Sequence, residues 1–322
     1  MNARRAVRAL ALAAAAMLFG AAAGAQECQL QRVASLDMQV MPDGRVLVPV
    51  SLDDTPRLLM VDTGSPVGLL NNSVAQELGL KSQRIENGMA FYFVNGDQTT
   101  RFAAVPSLKI GPDEARYLDF LLVNRAGNTS NAGTLGMDVL KNFDIDFDFA
   151  AKKLNLFSQD HCEGKVVYWA REYAVLDAQI SAHGEISAKM SLDDRDVEGV
   201  IDTGSVVTTV NESDSKRMFG IDTASEGLDT VKFPDGSSMV AHRFNALVMG
   251  GVSMPNPRIT ILPDGVADAT RRRLEQDKLQ GYEGNDASHN PQVILGMDAL
   301  RHLHIYIAYK EKKIYVTAAD AH

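Results

Sequence analysis

The sequence predicts an all-β protein made of two similar halves, and three observations support this. Apolar and polar residues alternate over short segments such as 45–52, which is typical of strands. Turn-forming residues such as Asp53-Asp54-Thr55-Pro56 separate these segments. The same order of segments and turns recurs in the second half of the chain, which indicates an internal duplication.

Composition narrows the class of protein. The 322 residues are 45% hydrophobic and 23% charged, which is ordinary for a globular protein and excludes wholesale disorder. The formal net charge is −9, so a nucleic-acid partner is not expected, because such proteins normally present a basic face. Two cysteines are too few for a four-cysteine zinc site, an iron–sulfur cluster or a disulfide-dense scaffold.

Residues 1–25 have the pattern of a secretory signal peptide. Arg4, Arg5 and Arg8 are followed by an apolar stretch over 9–23 and by the small residues Ala23-Gly24-Ala25. The alternatives are an uncleaved anchor helix and a buried helix. No later segment approaches about 18 apolar residues, so we expect no stable membrane insertion after cleavage near Gln26.

The repeat is in register over most of the chain. Asp62-Thr63-Gly64-Ser65 recurs 140 positions later as Asp202-Thr203-Gly204-Ser205. Leu135-Gly136-Met137-Asp138 recurs 160 positions later as Leu295-Gly296-Met297-Asp298. The change of offset predicts an insertion in the second half, at about 264–292. This insertion is either a lid or exosite near a cleft or a solvated excursion.

Two hairpins are predicted at equivalent positions of the repeat. Asn95-Gly96-Asp97 and Pro234-Asp235-Gly236 each separate two short strand-like segments. Gly96 and Gly236 both follow 34 positions after the aspartate of the repeated tetrapeptide. The two hairpins are therefore expected to have equivalent roles.

The residue types of the repeated Asp-Thr-Gly motif indicate a particular chemistry. Glycine permits a tight turn and the close approach of another chain segment. If the halves pack about a pseudo-twofold axis, Asp62 and Asp202 meet across it. Two adjacent carboxylates do not easily both ionise, so one keeps a proton near neutral pH, as in the aspartic proteases that serve as the standard example. One carboxyl can then accept a proton from water while the other donates a proton to a carbonyl oxygen.

These motifs resemble retropepsin-like aspartic proteases, in a tandem single-chain arrangement of bacterial type. The second family signature is an apolar stretch followed by Gly, one residue and Asp, then a short helix. Residues 134–140 and 293–300 both fit it. The resemblance covers nearly all of residues 35–318 and implies two lobes, each a closed β-barrel with one or two short helices.

The resemblance also implies roles for individual residues. Asp62 and Asp202 would be catalytic, and Tyr92, Gly96 and Gly236 would belong to flaps that cover the substrate. Asp138 and Asp298 would be structural, since they would orient the helix starts. The residues expected to support catalysis share the Asp-Thr-Gly-Ser motifs: Thr63 and Thr203 would interlock across the axis, Ser65 and Ser205 would hydrogen-bond the outer carboxylate oxygens, and Gly64 and Gly204 would complete the turns.

The function that follows from the resemblance is an exported aspartic endopeptidase with a polypeptide substrate. It would act as a monomer, without a cofactor or metal, and would be secreted or periplasmic, with the periplasm of a Gram-negative bacterium preferred. One alternative is a peptide-binding module of the same fold that does not cleave. Another is an association of two chains in which each half pairs with its own copy.

The sequence also predicts the limits of the two lobes and one disulfide. The predicted lobes are residues 26–160 and 161–322. Export would favour pairing of Cys28 with Cys162, and the resemblance places them near the two ends of the first lobe. The alternative is two unpaired thiols.

His302 and His304 form a fragment of a possible metal site, but nothing in the first half repeats it.

Overall fold

The computed structural model describes residues 29–85, 90–93, 98–124, 131–233, 236–264 and 291–320. The strands of the first half are β1 (Arg32–Asp37), β2 (Gln39–Val40), β3 (Val46–Leu52), β4 (Thr55–Val61), β5 (Leu69–Asn71), β6 (Ser82–Arg84), β7 (Phe91–Tyr92), β8 (Gln98–Thr99), β9 (Arg101–Ile110), β10 (Asp113–Val123), β11 (Gly133–Leu135), β12 (Asp144–Asp148) and β13 (Lys153–Phe157).

The strands of the second half are β14 (Ala174–Ile180), β15 (Ile186–Leu192), β16 (Arg195–Ile201), β17 (Thr209–Asn211), β18 (Asp229–Lys232), β19 (Ser238–Arg243), β20 (Ala246–Met249), β21 (Val252–Pro255), β22 (Arg258–Leu262), β23 (Val293–Leu295), β24 (Leu303–Ala308) and β25 (Lys313–Ala318). The helices are α1 (Asn72–Glu77), α2 (Met137–Leu140), α3 (Glu212–Phe219) and α4 (Met297–Leu300). The predicted all-β class is confirmed, and none of the helices in the described ranges is long and apolar enough to cross a bilayer.

The hairpins β3–β4 and β15–β16 have the same two-residue turn. Asp53 and Asp54 have φ of 47° and 60°, and Asp193 and Asp194 have φ of 45° and 61°. Positive φ at both central residues matches the right-handed twist of the flanking strands, and aspartate tolerates this conformation better than most residues. The duplication seen in the sequence therefore extends to the backbone conformation of the turns.

The first lobe, built from β2 to β11, contains a closed barrel. Its strands follow the order β3-β4-β11-β5-β10-β9, and the pairing of β3 with β9 closes the ring. Val46, Val48, Val50 and Leu52 on β3 are all buried, as the alternation of the sequence predicts. Closure removes the free strand edges that would otherwise need protection.

The second lobe, built from β15 to β23, repeats this layout with shorter strands. The order β15-β16-β23-β17-β22-β19 matches the first lobe, but the counterparts of the long β9 and β10 are each divided in two. After β19 the chain continues as β20, which pairs with β15 in the place of the β3–β9 contact.

A group of strands outside the two lobes joins the two halves. The strands β1, β13 and β12 of the first half and β24, β25 and β14 of the second lie side by side in one antiparallel sheet. The central contact of this sheet pairs β12 with β24, with Phe147 opposite Ile305. The two lobes are therefore joined by a continuous hydrogen-bonded sheet and not by the connecting segment alone.

Candidate active site

The two predicted aspartates lie at the ends of equivalent strands. Asp62 follows β4, and its N–H donates to the carbonyl of Leu135 at 3.2 Å. Asp202 follows β16, and its N–H donates to the carbonyl of Leu295 at 3.0 Å. In each lobe the short strand β11 or β23 runs parallel to the strand that carries the aspartate and anchors it.

Thr63 and Thr203 connect the lobes through four hydrogen bonds. The hydroxyl of Thr63 donates to Ile201 O at 2.6 Å, and that of Thr203 donates to Val61 O at 2.9 Å. Each hydroxyl also accepts a bond from the N–H of the other threonine, at 3.1 Å in both directions. Both threonines are fully buried, so these bonds replace contacts with water and hold the aspartate loops in register.

The aspartates face each other across this junction. A Cβ placed on Gly64 would lie 2.5 Å from Cγ of Asp202, and one on Gly204 would collide in the same way with Cγ of Asp62. Each carboxyl group therefore lies against the glycine of the opposite motif. Only glycine leaves the space for this approach, which explains its place in both copies of the motif.

The two carboxylates differ in their hydrogen bonds. The N–H groups of Gly64 and Gly204 donate to Oδ1 of their own aspartates at 3.0 Å and 2.9 Å. Ser205 donates to Asp202 twice, from its hydroxyl to Oδ2 at 2.7 Å and from its N–H to Oδ1 at 3.2 Å. The expectation for Ser65 was wrong, because its hydroxyl donates to Val67 O at 2.9 Å.

Asp138 and Asp298 brace the loops that carry the aspartates. Asp138 Oδ2 accepts the N–H of Gly68 at 3.1 Å, and Asp298 Oδ1 accepts both the N–H and the hydroxyl of Thr208, at 2.7 Å and 2.6 Å. Burial raises the pKa of both carboxyls, although these hydrogen bonds oppose the effect. Each aspartate also stands in the first turn of its short helix, α2 or α4. These contacts agree with the structural role expected for both residues.

A model of the aspartyl protease family matches residues 48–139 and 188–299, one copy in each half, and together these ranges exceed half of the chain. The chain belongs to the aspartyl protease family. The crystal structure of an aspartic proteinase from Irpex lacteus is similar, with a TM-score of 0.52 and 12% identity, over 89% of this chain and 97% of that one. At this identity the likeness shows the fold alone. No curated protein sequence matches the chain.

The predicted tandem retropepsin-like arrangement and the two-lobed protease fold are thereby confirmed. The hairpins expected as flaps of the protease are β7–β8 and β18–β19. Gly236 has φ of 86°, and its N–H donates to Phe233 O at 3.0 Å in the second hairpin. Gly96 and the side chain of Tyr92 lie outside the described residues.

Four other predictions also lie outside the described residues or remain untested. The signal peptide over 1–25 and residues 265–290 of the insertion are not described. Cys28 is not described either, so its pairing with Cys162 stays a prediction. The N–H of Ser158 donates to Gln31 O at 2.9 Å, which joins two segments that are close in sequence to Cys28 and Cys162. The lobe boundary at 160/161 stays a prediction.

Sequence reasoning did not anticipate a buried polar network where the lobes of the protease meet. Asp144 and Asp146 on β12 are fully buried. His161 Nε2 lies 2.5 Å from Asp144 Oδ2, and His304 Nε2 lies 2.6 Å from Asp146 Oδ1. In the described part of the chain, no group of three or more His, Cys, Asp or Glu residues could hold a metal ion. His304 is thus bound to a carboxylate, whereas His302 is exposed.

Proposed function

We propose that the protein is an aspartic endopeptidase in which Asp62 and Asp202 form the catalytic dyad. The observation that carries this proposal is the packing of each carboxyl group against the glycine of the opposite motif. The four threonine hydrogen bonds support it, because they hold the two carboxyls together without occupying them.

The dyad would act on a water molecule held between the two carboxyls. The proposed mechanism requires one carboxyl to be ionised and the other to be protonated, the arrangement used by aspartic proteases. The ionised carboxyl takes a proton from water, whose oxygen bonds to the peptide carbonyl carbon, while the protonated carboxyl donates its proton to the carbonyl oxygen. The tetrahedral intermediate then collapses: the C–N bond breaks, the nitrogen receives a proton from the dyad, and the carbonyl re-forms.

Substrate would bind in the cleft under the hairpins β7–β8 and β18–β19. Both halves of the dyad belong to one chain, so a monomer would suffice and no partner subunit is needed. The signal-peptide pattern of residues 1–25 supports export, with the periplasm or the exterior as the place of action. N-terminal sequencing of the protein recovered from a periplasmic fraction should start near Gln26; retention of residues 1–25 would contradict export by cleavage.

Cleavage of a mixed peptide library tests the catalytic proposal. We expect the wild type to cut peptides, pepstatin to suppress the cuts, and the Asp62→Asn and Asp202→Asn variants to be inactive. Both variants should keep the wild-type melting temperature to within a few degrees, because Asn has nearly the same shape as Asp. A folded wild-type protein that binds peptides and cuts none would show the non-catalytic peptide-binding module instead.

A further inference from the structure

The two lobes place different charges at equivalent positions beside the dyad. Arg45 precedes Asp62 by the same number of residues as Glu185 precedes Asp202. Both follow a glycine with nearly the same φ, 91° at Gly44 and 90° at Gly184. The turns are also bonded alike, since Gly44 N–H donates to Met41 O and Gly184 N–H donates to Ser181 O, each at 2.9 Å. The backbone is thus duplicated, while the side chain has changed sign.

Both turns reach across to the opposite lobe. A Cβ on Gly44 would lie 3.7 Å from Cβ of Met297, and a Cβ on Gly184 would lie 3.2 Å from Cβ of Met137. Met137 N–H in turn donates to Ser65 O at 2.8 Å, and Met297 N–H donates to Ser205 O at 2.8 Å. Each turn is therefore one contact away from the aspartate loop of the opposite lobe.

Glu185 directly follows Gly184, the glycine that lies against Met137 of the opposite lobe. Its side chain is exposed, yet desolvation by the surrounding protein raises its pKa, and the negative charges of Asp202 and Glu198 raise it further. A side chain on the wall of a concave site is reached by solvent and is also desolvated by the protein around it. The contact of its turn with Met137, whose N–H bonds to Ser65 O, places Glu185 close to the aspartate loop of the first lobe.

The charge at the equivalent position of the first lobe is already neutralised. Arg45 donates from Nε to Asp43 Oδ2 at 3.0 Å and from a terminal nitrogen to the same oxygen at 2.5 Å. Among the described residues, no lysine, arginine or histidine forms an ion pair with Glu185. The aliphatic stem of Lys141 packs near Gly184, but its ammonium group does not pair with the Glu185 carboxylate. Within the described ranges, Arg45 is thus paired inside its own turn, whereas Glu185 has no basic partner.

We propose that Glu185 is a specificity-determining residue that selects substrates with a lysine or arginine on the side of the scissile bond next to the 181–185 turn. This inference rests on the proposed function. A basic side chain there would supply a counter-ion that no described residue supplies to Glu185, and the desolvated surroundings would strengthen the attraction compared with open solvent.

Cleavage-site profiling of the wild type, Glu185→Gln and Glu185→Lys tests this inference. Asp196→Asn is the control, because Asp196 is an exposed acid of the same lobe and its replacement removes the same charge. We expect basic residues to be enriched at one subsite in the wild type and in the control. The enrichment should vanish in Glu185→Gln and should change to acidic residues in Glu185→Lys.

Two synthetic peptides that differ only by Lys or Gln at the enriched position make the test quantitative. We expect kcat/KM of the wild type to favour the Lys peptide by about tenfold, the size of a modest charge interaction. Glu185→Gln should cut the two peptides at equal rates, because the charge that distinguishes them is gone. The wild-type preference should also weaken with added salt and strengthen as rising pH ionises Glu185.

Two results would overturn the inference: one leaves the proposed function intact, and the other removes it as well. If the wild type cuts peptides but Glu185→Gln keeps the basic preference, or no such preference exists, Glu185 does not determine specificity and the proposed protease remains. If the folded wild type cuts no peptide at all, the proposed function fails and the inference fails with it.

Discussion

Ser65 and Ser205 occupy equivalent positions after the two aspartates but bond differently. Ser205 donates its hydroxyl to Asp202 Oδ2, whereas Ser65 donates its hydroxyl to the main chain at Val67. A hydrogen bond to a carboxylate has a net value of about 1.5–3 kcal/mol, roughly twice that of a bond between neutral groups. In the dyad that we propose, Ser205 would position Asp202, whereas Ser65 stabilises its own turn.

The paired variants Ser205→Ala and Ser65→Ala test this difference. We expect kcat/KM to fall by about tenfold to a hundredfold in Ser205→Ala, since a 1.4 kcal/mol change in the barrier is about tenfold in rate. Its pH profile should shift as well, which a purely structural role would not produce. Ser65→Ala should stay within about threefold of the wild type. Equal losses in the two variants would show that the two serines serve the dyad alike.

The identity of these residues was predictable from the sequence, but their bonding was not. The register of the two Asp-Thr-Gly-Ser motifs was enough to bring Thr63 and Thr203 together, because a twofold junction requires both copies. The motifs are identical, so nothing within them distinguishes Ser65 from Ser205. The difference depends on the rotamer that each hydroxyl adopts in its own loop, Pro66-Val67 in one lobe and Val206-Val207 in the other.

At the scale of elements, the β12–β24 contact depends on buried polar groups as well as on apolar packing. Asp146 on β12 accepts from Asn155 Nδ2 at 2.8 Å and from the Tyr168 hydroxyl at 2.5 Å, and it pairs with His304 on β24. The Trp169 ring stacks on His304 with centroids 4.0 Å apart and donates to Thr317. The segment after the first half thus covers a polar centre shared by the two halves.

Removal of His304 should destabilise this sheet strongly. His304→Ala leaves the buried Asp146 carboxyl without its histidine, and the loss of one partner from a buried pair costs about 3–5 kcal/mol. Urea unfolding monitored by tryptophan fluorescence measures the change. His302→Ala is the control, because His302 is exposed on the adjoining turn and its removal should cost less than about 0.5 kcal/mol. Similar losses in both variants would show that the pair adds nothing to stability.

This network could not be predicted from the sequence, although its strand could. The alternation in Asp144-Ile145-Asp146-Phe147-Asp148 indicates a strand with one polar face. Such a face is normally solvated, so the pattern alone places these carboxyls in water. They are buried because β24 and the segment with His161 and Tyr168 cover them, and these contacts join residues far apart in the chain.

At the scale of the whole molecule, the buried carboxyls make the folded state more stable at mildly acidic pH than at neutral pH. Desolvation raises the pKa of Asp138, Asp144 and Asp298 above the ordinary value of 3.8, although hydrogen bonds, including that from His161 to Asp144, oppose this. A carboxyl with a raised pKa binds its proton more tightly in the folded state. Its stabilising contribution is present below the ordinary pKa and is lost as the pH rises through the raised value.

We therefore expect the melting temperature to fall as the pH rises from about 4.5 to about 7.5, as measured by scanning calorimetry. Carboxyls with lowered pKa values such as Asp54 and Asp177 are exposed in their ion pairs and should oppose this trend only weakly. Asp298→Asn should flatten the slope, because both bonds from Thr208 end on one oxygen that Asn can reproduce. A melting temperature that rises steadily over this range would contradict the expectation.

The duplicated architecture makes each half of the chain supply one carboxyl to a single site. Residues that act as a unit give losses that do not add when they are replaced together. The decisive measurement is kcat/KM for one good peptide substrate with the wild type, Asp62→Asn, Asp202→Asn and the double variant. We expect each single replacement to reduce activity by at least a thousandfold, to about the level of the double variant. Substantial activity in either single variant, or losses that add in the double variant, would contradict a dyad of Asp62 and Asp202.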